Sequence, residues 1–448
     1  MQSTALDSAT LTLVTRWVCA CYNEHEECLA ARPVIEPGTP LFPTRLLEVG
    51  DYRNPVLRIV YTKHIRVPFR YVALTHCWGS QRFTTLTTAN HDAFLTSIPW
   101  EELTATFQDA IHMVRCMRPI RWIWIDSLCI IQDDAADWNR ESVRMQDIYT
   151  HAVFTIAAAK AEDGRGGLGV YRDPSLIAPL SACFARPRTW RTMLDSRLGS
   201  MPESTLVSKL GSMLRWLVPP VLPNDPPDGE YVCVDQTVWA REVDSSAVSR
   251  RAWVAQERFL SPRVVFFSKT QAFFSCAEMR ACELYPLGCP PSMYVDDIFA
   301  QGAAMLRRLA LQAAARVKSE GRLPGTSASE ERDGSRGAND SGSDSDDDDG
   351  DGRRALQREL LGVWGRLVKT YSNLDLTRPT DKLPAIAGIA QRFAPYFGLD
   401  VQYAAGLWQD PLGILTTLRK CQIRIPFSSL GLPRDSNGSR GSRDNASE

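Results

Sequence analysis

The fourteen residues Arg121-Trp-Ile-Trp-Ile-Asp126-Ser127-Leu-Cys-Ile-Ile-Gln132-Asp-Asp134 decide the fold. Trp122 to Ile125 is an unbroken apolar run of aromatic and β-branched residues, which predicts a strand covered on both faces, as in a parallel sheet. Asp126 ends the run. A second apolar patch follows from Leu128 to Ile131, and Gln132, Asp133 and Asp134 close it. Open α/β sheets place polar groups in this way, at the carboxyl ends of their strands.

The neighbouring stretches agree. Leu103 to Met117 predicts a helix, with Thr106 as its cap and Asp109 favouring its positive start. Phe107, Ala110, Ile111 and Val114 form one apolar stripe, and Pro119 stops the helix. Asp137 to His151 repeats the pattern with Trp138, Met145, Ile148 and Tyr149. Val153 to Ala157 is the next short strand, and Gly164 to Gly169 a loop. Upstream, the apolar run Tyr71 to Thr75 ends in His76-Cys77-Trp78-Gly79. Strand, helix, strand, helix, strand argues for a parallel sheet with helical crossovers.

Five ordered blocks carry a resemblance. They are Tyr71-Val-Ala-Leu-Thr-His-Cys-Trp-Gly79, Trp124-Ile-Asp-Ser-Leu-Cys-Ile-Ile-Gln-Asp133, Met145-x-x-Ile148-Tyr149-x-x-Ala152, Arg251-Ala-Trp-Val-Ala-Gln-Glu-Arg-Phe-Leu-Ser-Pro-Arg263 and Gly406-Leu-Trp408. The chain resembles the fungal heterokaryon incompatibility (HET) domain from about Trp17 to Trp408. The resemblance implies a cytoplasmic protein of filamentous fungi that acts in non-self recognition and programmed cell death. Its partners would be further copies of itself or incompatibility proteins. After Gly406-Leu-Trp408 the family continues into a Trp- and Ser-rich strand segment. Here Gln422 to Glu448 carries Pro, Ser, Gly and Arg instead, so the last part of the fold is expected to be missing or misread.

The chain has 448 residues and a formal net charge of −1. Residues 318–352 hold four Lys/Arg and eleven Asp/Glu, a net of −7, which leaves +6 for the rest. That is too mild for a nucleic-acid footprint, and no basic helix or RNA-binding motif accompanies it. The stretch Leu206 to Leu222 is too short and too broken by Lys209, Arg215 and a Pro pair to span a bilayer. No export signal opens the chain, so the 12 cysteines read as reduced thiols of a cytosolic protein. Cys21, His25 and Cys28 offer three metal ligands. One buried face of a helix from Leu11 to Leu29 explains them without an ion, and no metal is expected.

Arg45 to Val49 and Val56 to Thr62 read as a hairpin. Gly164-Arg-Gly-Gly-Leu-Gly169 matches G-x-G-x-x-G, yet no amphipathic helix follows it, so a plain turn is expected rather than a dinucleotide fingerprint. Asp297 to Lys318 and 354–371 read as helices, and 319–353 as a disordered acidic linker. The expected division is an N-terminal helix and hairpin (1–70), a HET core (71–267) with an insertion at about 172–235, a helical extension (268–318), the linker (319–353), a C-terminal helical part of the same module (354–420) and a disordered tail (421–448).

Neither a Ser-His-Asp set, a Cys-His set nor a P-loop can be assembled. A second, more distant resemblance supplies the candidate chemistry. The strand–acidic loop–helix blocks and Trp253-Val-Ala-Gln-Glu257 are similar to Toll/interleukin-receptor (TIR) domains, whose sheet is parallel and flavodoxin-like. There a helical Glu, four residues after a Trp, serves cleavage of the nicotinamide–ribose bond of NAD. The resemblance implies Glu257 as the catalytic carboxylate, NAD as substrate with no resident cofactor, and Trp253 on the same helical face. The strand-end loops would wall the pocket. Trp78 and Gly79 suit close approach of a ligand, and Asp126 and Ser127 suit ribose hydroxyls. Structural roles compete: Glu257 paired with Arg250, Arg251 or Arg258, Asp126 capping a turn, Trp78 as a core anchor, and His76 as a satisfied buried side chain rather than an acid–base group. A non-catalytic signalling module that self-assembles or docks on an incompatibility partner is the alternative function.

Overall fold

Tyr71–Thr75, buried along its whole length, lies inside an eight-stranded sheet. The computed structural model describes residues 7–30, 42–169, 235–294, 297–320 and 347–397, with strand segments at 3–4, 171–172, 180–184, 229–233, 402–404 and 407–409. In chain order the sheet strands are β1 (Arg45–Gly50), β2 (Pro55–Tyr61), β3 (Tyr71–Thr75), β4 (Trp122–Ile125), β5 (Thr155–Ala157), β6 (Arg263–Phe267), β7 (Ala272–Cys276) and β8 (Arg280–Cys282). Across the sheet they run β8-β7-β6-β5-β3-β4-β1-β2.

The middle four strands are parallel. Tyr71 pairs with Trp122, Ala73 with Thr155 and Thr155 with Val264. The outer strands are antiparallel on both sides. The fold is therefore mixed α/β, and the expectation of a parallel sheet holds only for its centre. Hairpins close both edges because two-strand ribbons need no crossover helix. The hairpin read at 45–62 is β1–β2, which extends the same sheet.

The longer helices among the described residues are α1 (Ser8–Asn23), α2 (Ala105–Cys116), α3 (Ala135–His151), α4 (Ala252–Leu260), α5 (Ile298–Glu320), α6 (Asp347–Ser372) and α7 (Pro384–Phe397). The chain leaves β3 sideways to β4, then returns past β3 to β5 and on to β6. Right-handed crossovers consequently put α2 on one face and α3 and α4 on the other. There α7 packs on both α3 and α4. The cap of α2 is Thr104, whose hydroxyl accepts from the Phe107 amide; Thr106, expected in that role, lies inside the helix. Asp134 caps α3 by accepting from the amides of Ala136 and Asp137.

α6 begins at Asp347, so the acidic run enters a helix that was expected to start only at 354. Residues 321–346, most of the insertion at 172–235 including its helical piece near 205–217, and the tail 421–448 lie outside the described residues. Among the described residues no helix is long and apolar enough to cross a membrane.

Candidate functional site

At the carboxyl ends of β3 and β4 the structure opens a cleft of about 1060 Å³. This is the end of an open α/β sheet at which ligands bind, beside the point where the chain reverses its direction of travel. Cys77, Trp78 and Gly79 follow β3, and Asp126 follows β4. Glu162 comes from the loop after β5, and Trp253 and Glu257 come from α4. The floor is thus built by strand ends and one wall by a helix. A further wall, beside the start of α4, is the segment Asp375–Asp381, which sequence reasoning missed. It is tied in through backbone hydrogen bonds: the Ala252 amide donates to Asp375 O (2.9 Å), and the Asp375 amide to Arg250 O (2.7 Å).

Glu257 is 4% exposed yet borders the cleft. Among the described residues no cation comes within ion-pair distance of it. Arg258 pairs with Asp244 and Asp297, while Arg250 donates to Ser245 O and Arg251 to His76 O. Its Oε2 accepts no hydrogen bond. Burial pushes the carboxyl up to about 7, against the pull of the Arg251 guanidinium and the nearby Thr75 and Tyr149 hydroxyls. A carboxyl that shares its protonated and ionised forms near neutrality, in a cleft, is a candidate for chemistry. His76 is the opposite case. Burial pulls its imidazole down to about 4, so it is neutral at pH 7 although Asp126 Oδ1 lies 3.6 Å from Nδ1.

Of the six expected site residues, Trp78, Gly79, Asp126, Trp253 and Glu257 all line the cleft. Ser127 does not. The chain turns at Asp126 into one helical turn, Asp126–Cys129, and this carries Ser127 inward to full burial with its hydroxyl unpartnered. Asp126 engages both of its carboxylate oxygens within the protein. Its Oδ1 accepts from the Ser127 amide (2.7 Å), and its Oδ2 accepts from Trp78 Nε1 (2.9 Å), which holds the indole against the mouth. Trp253 donates through Nε1 to Asp381 (3.3 Å) and meets Trp138 edge-on, so two indoles flank the acid's side of the cleft.

Gly79 sits at φ +68°, and a Cβ there would come within 2.4 Å of Asp163 Cβ. Gly79→Ala is expected to destabilise the fold by about 1–2 kcal/mol from the left-handed backbone alone, with the contact added. Thermal unfolding checks this, and pairing the change with Asp163→Gly should recover only the contact part. The Gly-rich loop is the turn that was expected. Its amides at Leu168 and Gly169 donate to Asp109 Oδ2 (2.7 and 3.2 Å), and the Gly167 amide to the Thr106 hydroxyl (3.2 Å). The loop's donors are spent on α2 rather than directed at a phosphate.

Residues 71–257 match the family model "Heterokaryon incompatibility protein (HET)". These residues are a HET domain. The match opens on β3 and ends at Glu257 in α4. The HET domain therefore supplies the floor and the acidic wall, and the Asp375–Asp381 wall comes from outside it. "Heterokaryon incompatibility protein 6, OR allele" of Neurospora crassa is 29% identical over 124 residues, covering 26% of this chain and 18% of that protein. The chain thus spans under a fifth of that relative. No solved structure matches the chain.

Proposed function

We propose that this HET-domain chain acts in fungal heterokaryon incompatibility by cleaving NAD, with Glu257 as the catalytic carboxylate. One observation carries the reading: an acid with no ion-pair partner, buried at the inner wall of a cleft, shares that cleft with the polar tips of the parallel strands. Two further features support it. The middle strands, numbered in chain order, lie 2-1-3-4, the order of flavodoxin-like sheets. Acids outnumber guanidiniums on the walls, where Asp126, Asp133, Glu162, Glu257, Asp375 and Asp381 face Arg250, Arg251 and Arg378, which suits a cationic nicotinamide ring beside an anionic diphosphate.

In the reaction the C1′–N1 bond breaks and its electron pair leaves with nicotinamide, which departs neutral. Positive charge develops on the ribose, as in glycoside hydrolysis. The Glu257 carboxylate accepts a hydrogen bond from a ribose hydroxyl and stabilises that charge in a site poor in water. Asp126 holds the second ribose edge, and Trp78 and Trp253 cover the rings. Water then adds to C1′ and loses its proton to solvent through the acid. The leaving group needs no protonation, so one carboxylate suffices and a neutral His76 is no obstacle.

The test is nicotinamide release from NAD by the concentrated, self-associated protein across a range of pH. The ionised acid is the working form, so turnover should rise about tenfold per unit below pH 7 and level off above it. His76, neutral above about 4, adds no second limb. A profile flat from pH 5 to 8 removes Glu257 from the chemistry. Absence of release in every assembly state overturns the enzymatic reading in favour of a docking module.

A further inference from the structure

Cys21, His25 and Cys28 do not share one helix face. α1 ends at Asn23, and Cys28 stands on a separate short helix, Glu26–Ala30. The break lets the chain fold back on itself, and strand β7 brings a fourth group to the same point. The ligand atoms of Cys21, His25, Cys28 and Cys276 all lie within 4.8 Å of one another. His25 Nδ1 stands 3.4 Å from the Cys276 sulfur, from a residue 251 positions away in the chain. Zinc bonds of about 2.3 Å to sulfur and 2.0–2.1 Å to nitrogen, in a tetrahedron, require ligand edges of roughly 3.5–3.8 Å. From this convergence we infer that the chain carries a structural zinc site with a three-cysteine, one-histidine ligand set.

Charge supplies a second, independent argument. Arg263 is buried, and among the described residues no carboxylate lies within ion-pair distance of it. Its Nε instead donates to Cys21 Sγ at 3.0 Å. A buried guanidinium needs a negative partner. Zinc with three thiolates carries 2 − 3 = −1, which is the counter-charge that Arg263 lacks. The Met279 amide donates to Cys276 Sγ at 3.2 Å, the outer-shell donor that orients a metal-bound thiolate. A disulfide would account for only two of the three sulfurs and for neither the imidazole nor the arginine. Soft sulfur ligands with one imidazole in a tetrahedral array select zinc over the hard divalent cations. The site is distinct from the cleft. It staples α1 and the short helix after it to the β7–β8 hairpin, and so closes the far edge of the sheet. His25 and Cys276 are partly exposed, which gives a chelator access.

The experiment uses the untagged full-length chain. Elemental analysis should return about one zinc per chain. Titration with a mercurial reagent should release that zinc as three thiols react. Exchange for cobalt should give the intense visible bands of a tetrahedral thiolate complex. Cys276→Ser and Cys28→Ser should lose the metal, and Cys116→Ser, an exposed cysteine elsewhere, should keep it. Chelation should lower Tm by more than about 5 °C, reversed by one equivalent of zinc. If the ligand variants do not fold, cobalt exchange into the wild type still decides. The assignment is overturned by a folded chain that holds no metal, by iron in place of zinc, or by a Cys21, Cys28 or Cys276 disulfide in a non-reduced peptide map.

Discussion

Glu257→Gln is expected to slow nicotinamide release about 100- to 1000-fold and, at the same time, to make the protein harder to unfold at pH 8. The two effects have one cause. In the unfolded chain the carboxyl titrates near its ordinary 4.5, and in the fold burial raises this to about 7. Below pH 4.5 both states hold the proton and the group contributes nothing. As pH rises toward 7 the unfolded state ionises first. Above pH 7 the folded state must keep a buried charge, and stability has fallen by about 3 kcal/mol, given roughly 1.4 kcal/mol per pKa unit. Gln keeps the shape and removes the charge. The variant should therefore gain stability at pH 8, lose that gain as pH falls, and match the wild type near pH 4.5. Urea midpoints at the two pH values measure it. A variant weaker than wild type at pH 8 would mean that the acid serves a structural pair, and the catalytic assignment would go with it.

Asp137→Ala should give the largest loss of stability, about 3–5 kcal/mol. Asp137 and Arg45 form an ion pair with side chains 1% and 2% exposed. Arg45 Nε also donates to Cys129 O (2.8 Å), and Asp137 accepts from the Ile131 amide (2.8 Å). Removing the acid leaves a guanidinium buried without its partner. The two residues also pin both ends of the Cys129–Ile131 segment beneath the cleft, so the loss should loosen the floor and depress any activity with it. Arg45→Met with Asp137→Leu should recover most of the stability, since two apolar groups need no partner. Chemical denaturation of the single and double variants checks the pair. A cost under about 1 kcal/mol for Asp137→Ala would show that solvent reaches the arginine.

The central strands and their helices were legible because each is written locally. Trp122 to Ile125 and Tyr71 to Thr75 are apolar runs with abrupt polar ends, and α2 and α3 carry stripes and stops. The Trp253–Glu257 spacing likewise placed two cleft residues on one helical turn. What was missed needed closure over long separations. Two hydroxyls stand two residues apart at the start of α2, and only the fold selects Thr104 over Thr106. Ser127 faces inward because the chain coils immediately after β4 instead of continuing extended. Asp381 meets Trp253 across 128 residues, and Cys276 meets His25 across 251. No periodicity within a window of a dozen residues records such meetings.

The wall formed by Asp375–Asp381 has a practical outcome for anyone expressing part of this chain. The stretch recognised by similarity stops at Glu257, before β6 and well short of that wall. A fragment trimmed to those limits would keep the acid and present it to bulk water, where its ionisation would return toward that of a free glutamate. The smallest piece that keeps this wall of the cleft is therefore longer than the smallest piece that can be recognised, and boundaries for expression belong beyond Phe397, at the end of α7.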